Sequence, residues 1–438
     1  MKESKLNKGL IDFLKNAPTP FHAVSHMADL LENGGFSRLY EEEPWSIGDD
    51  SCYFITRNDS SLIAFTTGKA PLPDTGILMA GAHTDAPCLK IKPVPEIIKP
   101  PHLQLGVEVY GGPLLSTWFD RDLSIAGRVS WRSHDERLNH TRIDFKKPVA
   151  ILPSLAIHFD RSANDSKSIN AQTDLPPILF CSSDNRLTNF QEILLAELRK
   201  TVRSTDKPDA ILGYDLFLYD TNPPAITGLS GDFISGSRLD NLLSCYVGLT
   251  SFLHAEKKSP ALVVFNDHEE VGSTTMAGAQ GQFLLSVLNR LCPSPEAFSR
   301  TMARSIMVSI DNAHGFHPNH GGKFDPNHSP HINHGPVIKV NANQRYASTS
   351  ETIAFFKHLC GKAKIPVQEF VMRSDMGCGT TIGPVTSAKL GVRTIDIGVP
   401  TYGMHSIRET AGAKDTLFLY QALQRFFSLP RSSFGRQP

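Results

Sequence analysis

The sequence is poor in cysteine, and its cysteines form no recognisable pattern. Its 438 residues include seven cysteines, and no two of them make a C-x-x-C pair. Because structural disulfides persist in oxidising compartments, an odd and scattered set of thiols indicates a chain that works reduced. The N-terminal stretch MKESKLNKGLIDFLKN is charged throughout and has no apolar centre. We therefore expect no secretory signal and a cytoplasmic location.

The sequence also lacks an excess of either charge and any long apolar run. Lysine plus arginine total 44, as do aspartate plus glutamate, so the formal net charge is zero. Nucleic-acid-binding proteins usually carry a basic excess, so this balance argues against a nucleic-acid partner. No uninterrupted apolar stretch is long enough to cross a bilayer, so we expect no membrane partner. The length predicts two or three domains.

Helix-like and strand-like segments alternate at both ends of the chain but not between them. Over residues 1–90 and 236–438, amphipathic helices alternate with apolar strands, which is typical of a mixed sheet with helices on both faces. Residues 91–235 are dense in proline, glycine and short β-like runs such as LQLGVEVY. We therefore predict an α/β main domain in two segments, 1–90 and 236–438, interrupted by an inserted β-rich domain over 91–235.

His83 and Asp85 stand two residues apart, just past the strand-like run GILMAGAH. Residues two apart on a strand point to the same side, and ligands of open α/β sheets bind outside the carboxyl ends of the strands. A metal-ligating histidine is normally held through its other ring nitrogen, often by a carboxylate, so His-x-Asp suits a ligand and its orienting acid. Taken alone, the pair is more often a hydrogen-bonded histidine at a capped strand end.

More acids and a second histidine follow other predicted elements. Glu269 and Glu270 follow the run ALVVF, Asp311 follows SIMVSI, His405 follows VRTIDIGVP, and Asp240 lies in the first turns of a helix. Each alone is typical of a turn, a cap or a solvated acid. Together, two histidines and several carboxylates without sulfur suit zinc, manganese or cobalt in an open catalytic site. Two metals bridged by one carboxylate are consistent with so many acids.

Seven motifs, in order along nearly the whole chain, resemble the aspartyl aminopeptidase family of zinc metallopeptidases. They are FLKNAPTPFHAV, GAHTDAPCLKIKP, ISGSRLDNL, NDHEEVGSTTMAGA, GPVIKVNANQRYAS, SDMGCGTTIGP and YGMHSIRET. The resemblance implies a zinc exopeptidase-like catalytic domain, an inserted dimerisation domain, and a homo-oligomer, a dodecamer built from dimers. It also implies removal of the N-terminal residue from short peptides with two zinc ions per subunit. Cobalt and manganese accept similar ligands, so the identity of the metal stays open.

The resemblance further implies which residues hold the metals. His83 and Asp311 resemble the ligands of one ion, and Glu270 and His405 resemble those of the other. Asp240 resembles the carboxylate that bridges the two.

Four other residues receive roles from the same resemblance. Asp85 resembles the acid that orients His83, and Glu269 resembles the general base. His158, in LAIH, resembles a residue that reaches the active centre of a neighbouring subunit, near substrate or metal. Lys339, in GPVIKV, resembles a reader of acidic substrate side chains. By spacing alone, His158 is an ordinary strand histidine and Lys339 a solvated strand lysine.

Two features are interpreted as structural, and two other functions remain open. The tract HGFHPNHGGKFDPNHSPHINHGP follows no known metal-binding spacing, so we predict a loop beside the site. Cys378 has no neighbouring histidine in its motif, and we interpret it as a buried thiol.

The alternative functions are a dinuclear amidohydrolase or deacylase of small N-acyl compounds, and an assembly or cargo protein with a vestigial metal site.

Overall fold

The computed structural model describes residues 1–181, 189–203 and 205–430, which form two compact units. The first unit comprises Met1–Asp85, Pro224–Met404 and the described residues from Glu409 onward, and the second comprises Ala86–Pro223 and His405–Arg408. The predicted segments meet at residues 90/91 and 235/236, whereas the units meet at 85/86 and 223/224. Residues 182–188, 204 and 431–438 of the predicted segments lie outside the described residues.

The helices follow the amphipathic patterns of the sequence. In the first of them, Leu6, Leu10 and Leu14 recur every four residues and are all fully buried, as one face of a helix requires. The helices are α1 (Glu3–Asn16), α2 (Pro20–Asn33), α3 (Leu72–Thr75), α4 (Phe190–Thr201), α5 (Leu239–Leu253), α6 (Phe283–Leu291), α7 (Pro295–Arg304), α8 (Ser350–Lys362), α9 (Ile382–Leu390) and α10 (Asp415–Phe427). Short 3₁₀ turns lie at Leu115–Trp118, Glu269–Val271 and Pro318–Lys323. Within the described ranges, no helix combines the length and the apolar character needed to cross a bilayer.

The strands fall into three sheets within the described residues. They are β1 (Ser37–Arg38), β2 (Cys52–Arg57), β3 (Ser61–Thr66), β4 (Leu78–His83), β5 (Cys88–Lys99), β6 (His102–Tyr110), β7 (Asp122–Ser133), β8 (Leu138–Asp144), β9 (Ala150–Ile151), β10 (Ile178–Cys181), β11 (Pro208–Asp220), β12 (Ala225–Thr227), β13 (Phe233–Gly236), β14 (Ala261–Asn266), β15 (Ile306–Ile310), β16 (Ala313–His314), β17 (Val337–Val340), β18 (Gln368–Val371), β19 (Arg393–Gly398), β20 (Pro400–Tyr402) and β21 (Glu409–Gly412). Two of the sheets belong to the first unit and one to the second.

The first unit is built on a mixed sheet in the order β1-β2-β3-β14-β4-β15-β19-β17-β18. Along β4, Leu78 and Ala80 pack into the core on one face, and Met79 packs into the core on the other, because successive side chains of a strand alternate. Residues of α1, α2, α5, α8 and α10 fill the first core, and residues of α6, α7 and α9 fill the second. The predicted mixed sheet with helices on both faces is confirmed. A smaller sheet in the order β12-β13-β21-β20-β16 completes the unit.

The second unit is rich in β structure, as predicted for the inserted region. Its described strands form one sheet in the order β11-β5-β6-β10-β9-β7-β8, and β7 also pairs with β11, so the sheet closes on itself. Helix α4 packs onto the core of this unit through Phe190, Leu194 and Leu198, which recur every four residues and are fully buried.

Candidate metal centre

Three adjacent parallel strands of the first unit end at the same edge of the sheet. β4 pairs in parallel with both β14 and β15. β4 ends at His83, β14 is followed by the turn that carries Glu269 and Glu270, and β15 is followed by Asp311. Because neighbouring parallel strands present their carboxyl ends together, these side chains converge where ligands of open α/β sheets bind.

The imidazole of His83 is buried and faces two carboxylates. Its Nε2 atom lies 3.5 Å from Asp240 Oδ1 and 3.6 Å from Asp311 Oδ1. One ligand atom each of His83, Asp240 and Glu270 lie within 4.8 Å of one another. Burial opposes the charged imidazole, but Asp240, Asp311 and Asp85 outweigh it and raise the pKa of His83 well above its usual value. The structure thus brings four of the predicted metal ligands together.

The other ring nitrogen of His83 is engaged by Asp85. His83 Nδ1 lies 3.1 Å from the backbone carbonyl oxygen of Asp85 and 3.4 Å from its Oδ1. A proton on Nδ1, donated to these oxygens, leaves Nε2 as the ring nitrogen that faces the acids. Nε2 is therefore the atom of His83 that would bind a metal, once the metal displaces the proton that Asp240 and Asp311 favour there.

Asp85 also holds the turn after β14. Its Oδ1 accepts a hydrogen bond from the backbone N–H of Glu269, and its Oδ2 accepts one from the N–H of Glu270, both at 3.1 Å. Asp85 is buried. One carboxylate therefore contacts the imidazole and fixes the backbone that carries the predicted base and a predicted ligand. The His-x-Asp pattern carries no signal for the second contact, because its partners lie far along the chain.

Glu269 is partly buried and lies among other acids. Burial raises the pKa of Glu269 to about 8; Asp311, Glu270 and Asp85 add to the shift, and His83 opposes it. Carboxylates crowded in this way are stabilised by a cation that relieves their repulsion. One imidazole and several carboxylate oxygens are ligands that zinc accepts, so the residues present fit a zinc site.

Cys245 of α5 donates a hydrogen bond to the backbone of His83. Cys245 is fully buried, and its Sγ donates to the backbone carbonyl oxygen of His83 at 3.0 Å. Burial raises the pKa of this thiol, which keeps it protonated and unsuited to hold a metal. The sequence carries no sign of this contact beyond the apolar surroundings of Cys245 in its helix.

Lys339 is buried beside the acids, although its spacing alone suggests a solvated strand lysine. Its side chain is 3% exposed, and its Nζ lies 3.2 Å from Asp311 Oδ2. The ammonium also lies 5.4 Å from the centroid of the Tyr346 ring. Lys339 therefore neutralises part of the negative charge at this edge of the sheet.

His405 and His158 belong to the second unit. His405 adopts a left-handed backbone conformation with φ of 68°, and its Nδ1 lies 3.0 Å from the carbonyl oxygen of Gly112. A proton donated from Nδ1 to that oxygen places the imidazole lone pair on Nε2. His158 is exposed. Both residues stay predicted members of the site.

The histidine-rich tract begins at His314, the last residue of β16, and then forms loops around the 3₁₀ turn Pro318–Lys323. Among the residues described, none of its histidines joins a group whose ligand atoms lie close enough to hold a metal. Cys378, interpreted from the sequence as a buried thiol, is only partly buried.

The fold and the site together define a metal-dependent hydrolase of the α/β class. The model of the family described as Aminopeptidase I zinc metalloprotease (M18) matches residues 13–427, and the chain belongs to this family. The family predicted from the motifs is confirmed, and the chain is accordingly a metalloaminopeptidase.

Individual relatives match this chain over nearly its whole length. The chain is 52% identical over 425 residues to a probable M18 family aminopeptidase 2 of Pseudomonas syringae pv. syringae (strain B728a), covering 97% of this chain and 98% of the relative. It resembles a chain in the cryo-EM structure of the Ape4 and Nbr1 complex with a TM-score of 0.93 and 37% identity, covering 97% of this chain and 86% of that one. It resembles a chain in the structure of the S. cerevisiae mApe1 dodecamer with a TM-score of 0.84 and 29% identity, covering 98% of this chain and 97% of that one.

Proposed function

We propose that this aminopeptidase removes the N-terminal residue of short peptides at a site that holds two zinc ions per subunit. The observation that carries the proposal is the cluster of His83, Asp240 and Glu270, whose ligand atoms lie within 4.8 Å of one another beside Glu269. His83 and Asp311 would hold one ion, and Asp240 would bridge to the second. Glu270 would hold the second ion, with His405 as its other predicted ligand.

The reaction follows from the roles of the protein's own groups. A bound metal pair supplies polarisation of the scissile carbonyl and a lowered pKa for the attacking water. Glu269 takes the proton of that water and returns it to the leaving amine. Asp85 keeps the base in place through the N–H groups of Glu269 and Glu270. Carboxylates of the cluster attract the free α-amine of the substrate, which restricts cleavage to the first residue.

A substrate screen tests this function against its alternatives. The protein is stripped with a chelator, reloaded separately with zinc, manganese or cobalt, and assayed on aminoacyl anilides, their N-acetylated counterparts and N-acyl amino acids. We expect metal-dependent cleavage of the free-amine anilides alone. Preferential cleavage of the N-acylated compounds would establish the deacylase. Metal-free protein that assembles normally and gains no activity with zinc, manganese or cobalt would favour the assembly or cargo protein with a vestigial site.

Lys339 supports a preference for acidic N-terminal residues. A buried ammonium at the site favours a substrate carboxylate. Its contact with Asp311 works in the opposite direction, because an ammonium that is already paired attracts a second anion less strongly.

Substitution of Lys339 measures this preference. We expect Lys339→Met to lower kcat/KM for aspartyl anilide by at least about tenfold more than for leucyl anilide, the loss of one charge-assisted hydrogen bond. Equal losses on the two substrates would assign Lys339 to Asp311 alone. Lys357→Met is the matched control, because this lysine is half-exposed and pairs with Glu369.

We also propose a homo-oligomer, a dodecamer built from dimers through the second unit, and a cytoplasmic location. The resemblance to the mApe1 dodecamer supports the assembly. The exposed apolar side chains of Leu155, Ile157 and Phe159, which surround His158, support a protein contact at this segment. All seven cysteines are free thiols, which supports a reducing compartment. Light scattering of the purified protein tests the assembly, and a single subunit in solution would contradict it.

A further inference from the structure

Glu409 is a buried acid of the motif YGMHSIRET that has no part in the ligand set or the mechanism above. It begins β21 and is 2% exposed. Its Oε2 accepts a hydrogen bond from the backbone N–H of Asp240 at 2.9 Å. β21 pairs with β13, with Glu409 opposite Gly236, so the backbone of Glu409 is held by the strand that leads toward Asp240.

The backbone at Asp240 needs such an acceptor. Arg238, before α5, adopts a left-handed conformation with φ of 61°, and no side chain of the cap residue bonds to the helix. Asp240 itself has a ψ of 105°, which is not helical. The first N–H groups of a helix have no acceptor within the helix. A side-chain oxygen of Glu409 supplies the acceptor for the N–H of Asp240.

A second contact holds the next residue. Asn241 Nδ2 donates to the backbone carbonyl oxygen of Ile310 at 2.8 Å, at the end of β15 and directly before Asp311. The backbone around Asp240 is therefore tied to two strands, to β21 through Glu409 and to β15 through Asn241. Because an aspartate side chain is short, the position of its carboxylate follows closely from the position of its backbone.

We propose that Glu409 is a positioning residue for the metal pair. By accepting the N–H of Asp240, it holds the Asp240 carboxylate where two cations can share it. The inference rests on the proposed two-zinc site, in which Asp240 is the bridge. Glu409 acts in this proposal through the backbone of Asp240.

Two conservative variants of Glu409 test separately the length of its side chain and its negative charge. Glu409→Gln keeps an oxygen at the same distance and removes the charge, whereas Glu409→Asp keeps the charge and shortens the side chain by one methylene. We expect zinc affinity, measured on metal-free protein by competition with a chromophoric chelator, to fall about 10- to 100-fold in Glu409→Asp. Glu409→Gln should stay within about threefold of the wild type, because its amide oxygen still reaches the N–H of Asp240. In Glu409→Asp reloaded with zinc, kcat should fall more than KM rises.

A variant of another buried acid controls for the general effect of replacing such a residue on the fold. Asp415 is also buried and accepts backbone N–H groups, those of Asn333 and Gly335, in the same unit. Asp415→Asn should lower the thermal midpoint without changing zinc affinity. Equal zinc affinity in Glu409→Asp and wild type, or a larger loss in Glu409→Gln than in Glu409→Asp, would overturn the positioning role.

The wild-type titration keeps this inference separate from the proposed function. Two zinc ions bound per wild-type subunit together with an unchanged Glu409→Asp variant would refute the positioning role alone. Fewer than two zinc ions bound by the wild type would refute the proposed metal pair, and with it the inference that depends on it.

Discussion

At the scale of single residues, the site depends on side chains that make several contacts at once. Asp85 accepts the N–H groups of two residues of the turn after β14 and lies against His83. Hydrogen bonds to a carboxylate are stronger than those between neutral groups, so each such contact places a backbone segment firmly. The geometry of the site is therefore determined by a few buried acids that stand behind the predicted ligands.

Replacement of Glu269 tests the general base. Glu269→Gln preserves the size of the side chain and the hydrogen bonds of the backbone N–H to Asp85, so metal and fold should be retained. Activity should fall by about 10²- to 10⁴-fold, the usual contribution of a general base. Turnover and bound metal are measured on the same sample. Turnover close to that of the wild type would rule out the proposed role.

Replacement of Asp85 tests its position behind the ligands. An amide has one acceptor oxygen instead of two, so Asp85→Asn should lose one hydrogen bond to the turn and weaken the hold on His83. We expect activity to fall by about 10- to 100-fold with most of the metal retained. Metal content by elemental analysis, compared with kcat, decides the question. Complete loss of metal would make Asp85 a ligand.

At the scale of elements, the candidate site lies at one edge of the mixed sheet because β14, β4 and β15 run parallel side by side and end there.

The same unit contains another buried acid that fixes a backbone segment, at the start of α10. Asp415 Oδ2 accepts the N–H of Asn333 at 2.6 Å, and its Oδ1 accepts that of Gly335 at 2.8 Å. These bonds tie the end of the histidine-rich tract to the helix.

Asp415 should make the stability of the fold depend on pH. Burial raises the pKa of Asp415 to about 7, against the opposing effect of its two N–H partners. Since an unfolded aspartate titrates near pH 4, the folded state binds more protons between about pH 4 and 7. The free energy of unfolding should therefore fall as pH rises through this window, by about 4 kcal/mol if the whole shift is expressed.

Variants isolate the contribution of Asp415. In Asp415→Asn, the difference in denaturant midpoint between pH 5 and pH 7 should shrink relative to the wild type. Asp49→Asn serves as the control, because Asp49 is exposed. An unchanged pH dependence in Asp415→Asn would show that this carboxylate does not titrate in the window.

At the scale of the whole molecule, the proposed assembly predicts that subunits complete one another. His158 lies in an exposed segment of the second unit, with Leu155, Ile157 and Phe159 exposed beside it. In a symmetric dimer, each subunit would supply this segment to the other. A subunit alone would then lack part of its site.

A mixing experiment tests this exchange. His158→Ala and Glu269→Gln subunits, each expected to be nearly inactive alone, are co-expressed with different tags. Random pairing should restore about a quarter of wild-type activity, because half of the dimers are mixed and one of their two sites is intact. Purified mixed assemblies without restored activity would contradict the role of His158 across subunits. Glu269→Gln subunits co-expressed with wild type provide the baseline for mixing.

The sequence by itself determined the family, the mixed α/β sheet, the β-rich insertion and the residues that follow the strands. These features are local: the period of two in β4, the period near four in α1 and the motifs around His83 and Glu269 are each contained in one segment. Only the tertiary structure decided which distant groups each buried polar side chain contacts. Asp85 reaches Glu269 and Glu270, Glu409 reaches Asp240, Cys245 reaches the carbonyl of His83, and Lys339 is buried against Asp311. These partners lie from 28 to 185 residues apart in the chain, and only the packing of strands and helices into one unit brings them within hydrogen-bonding or ion-pairing distance.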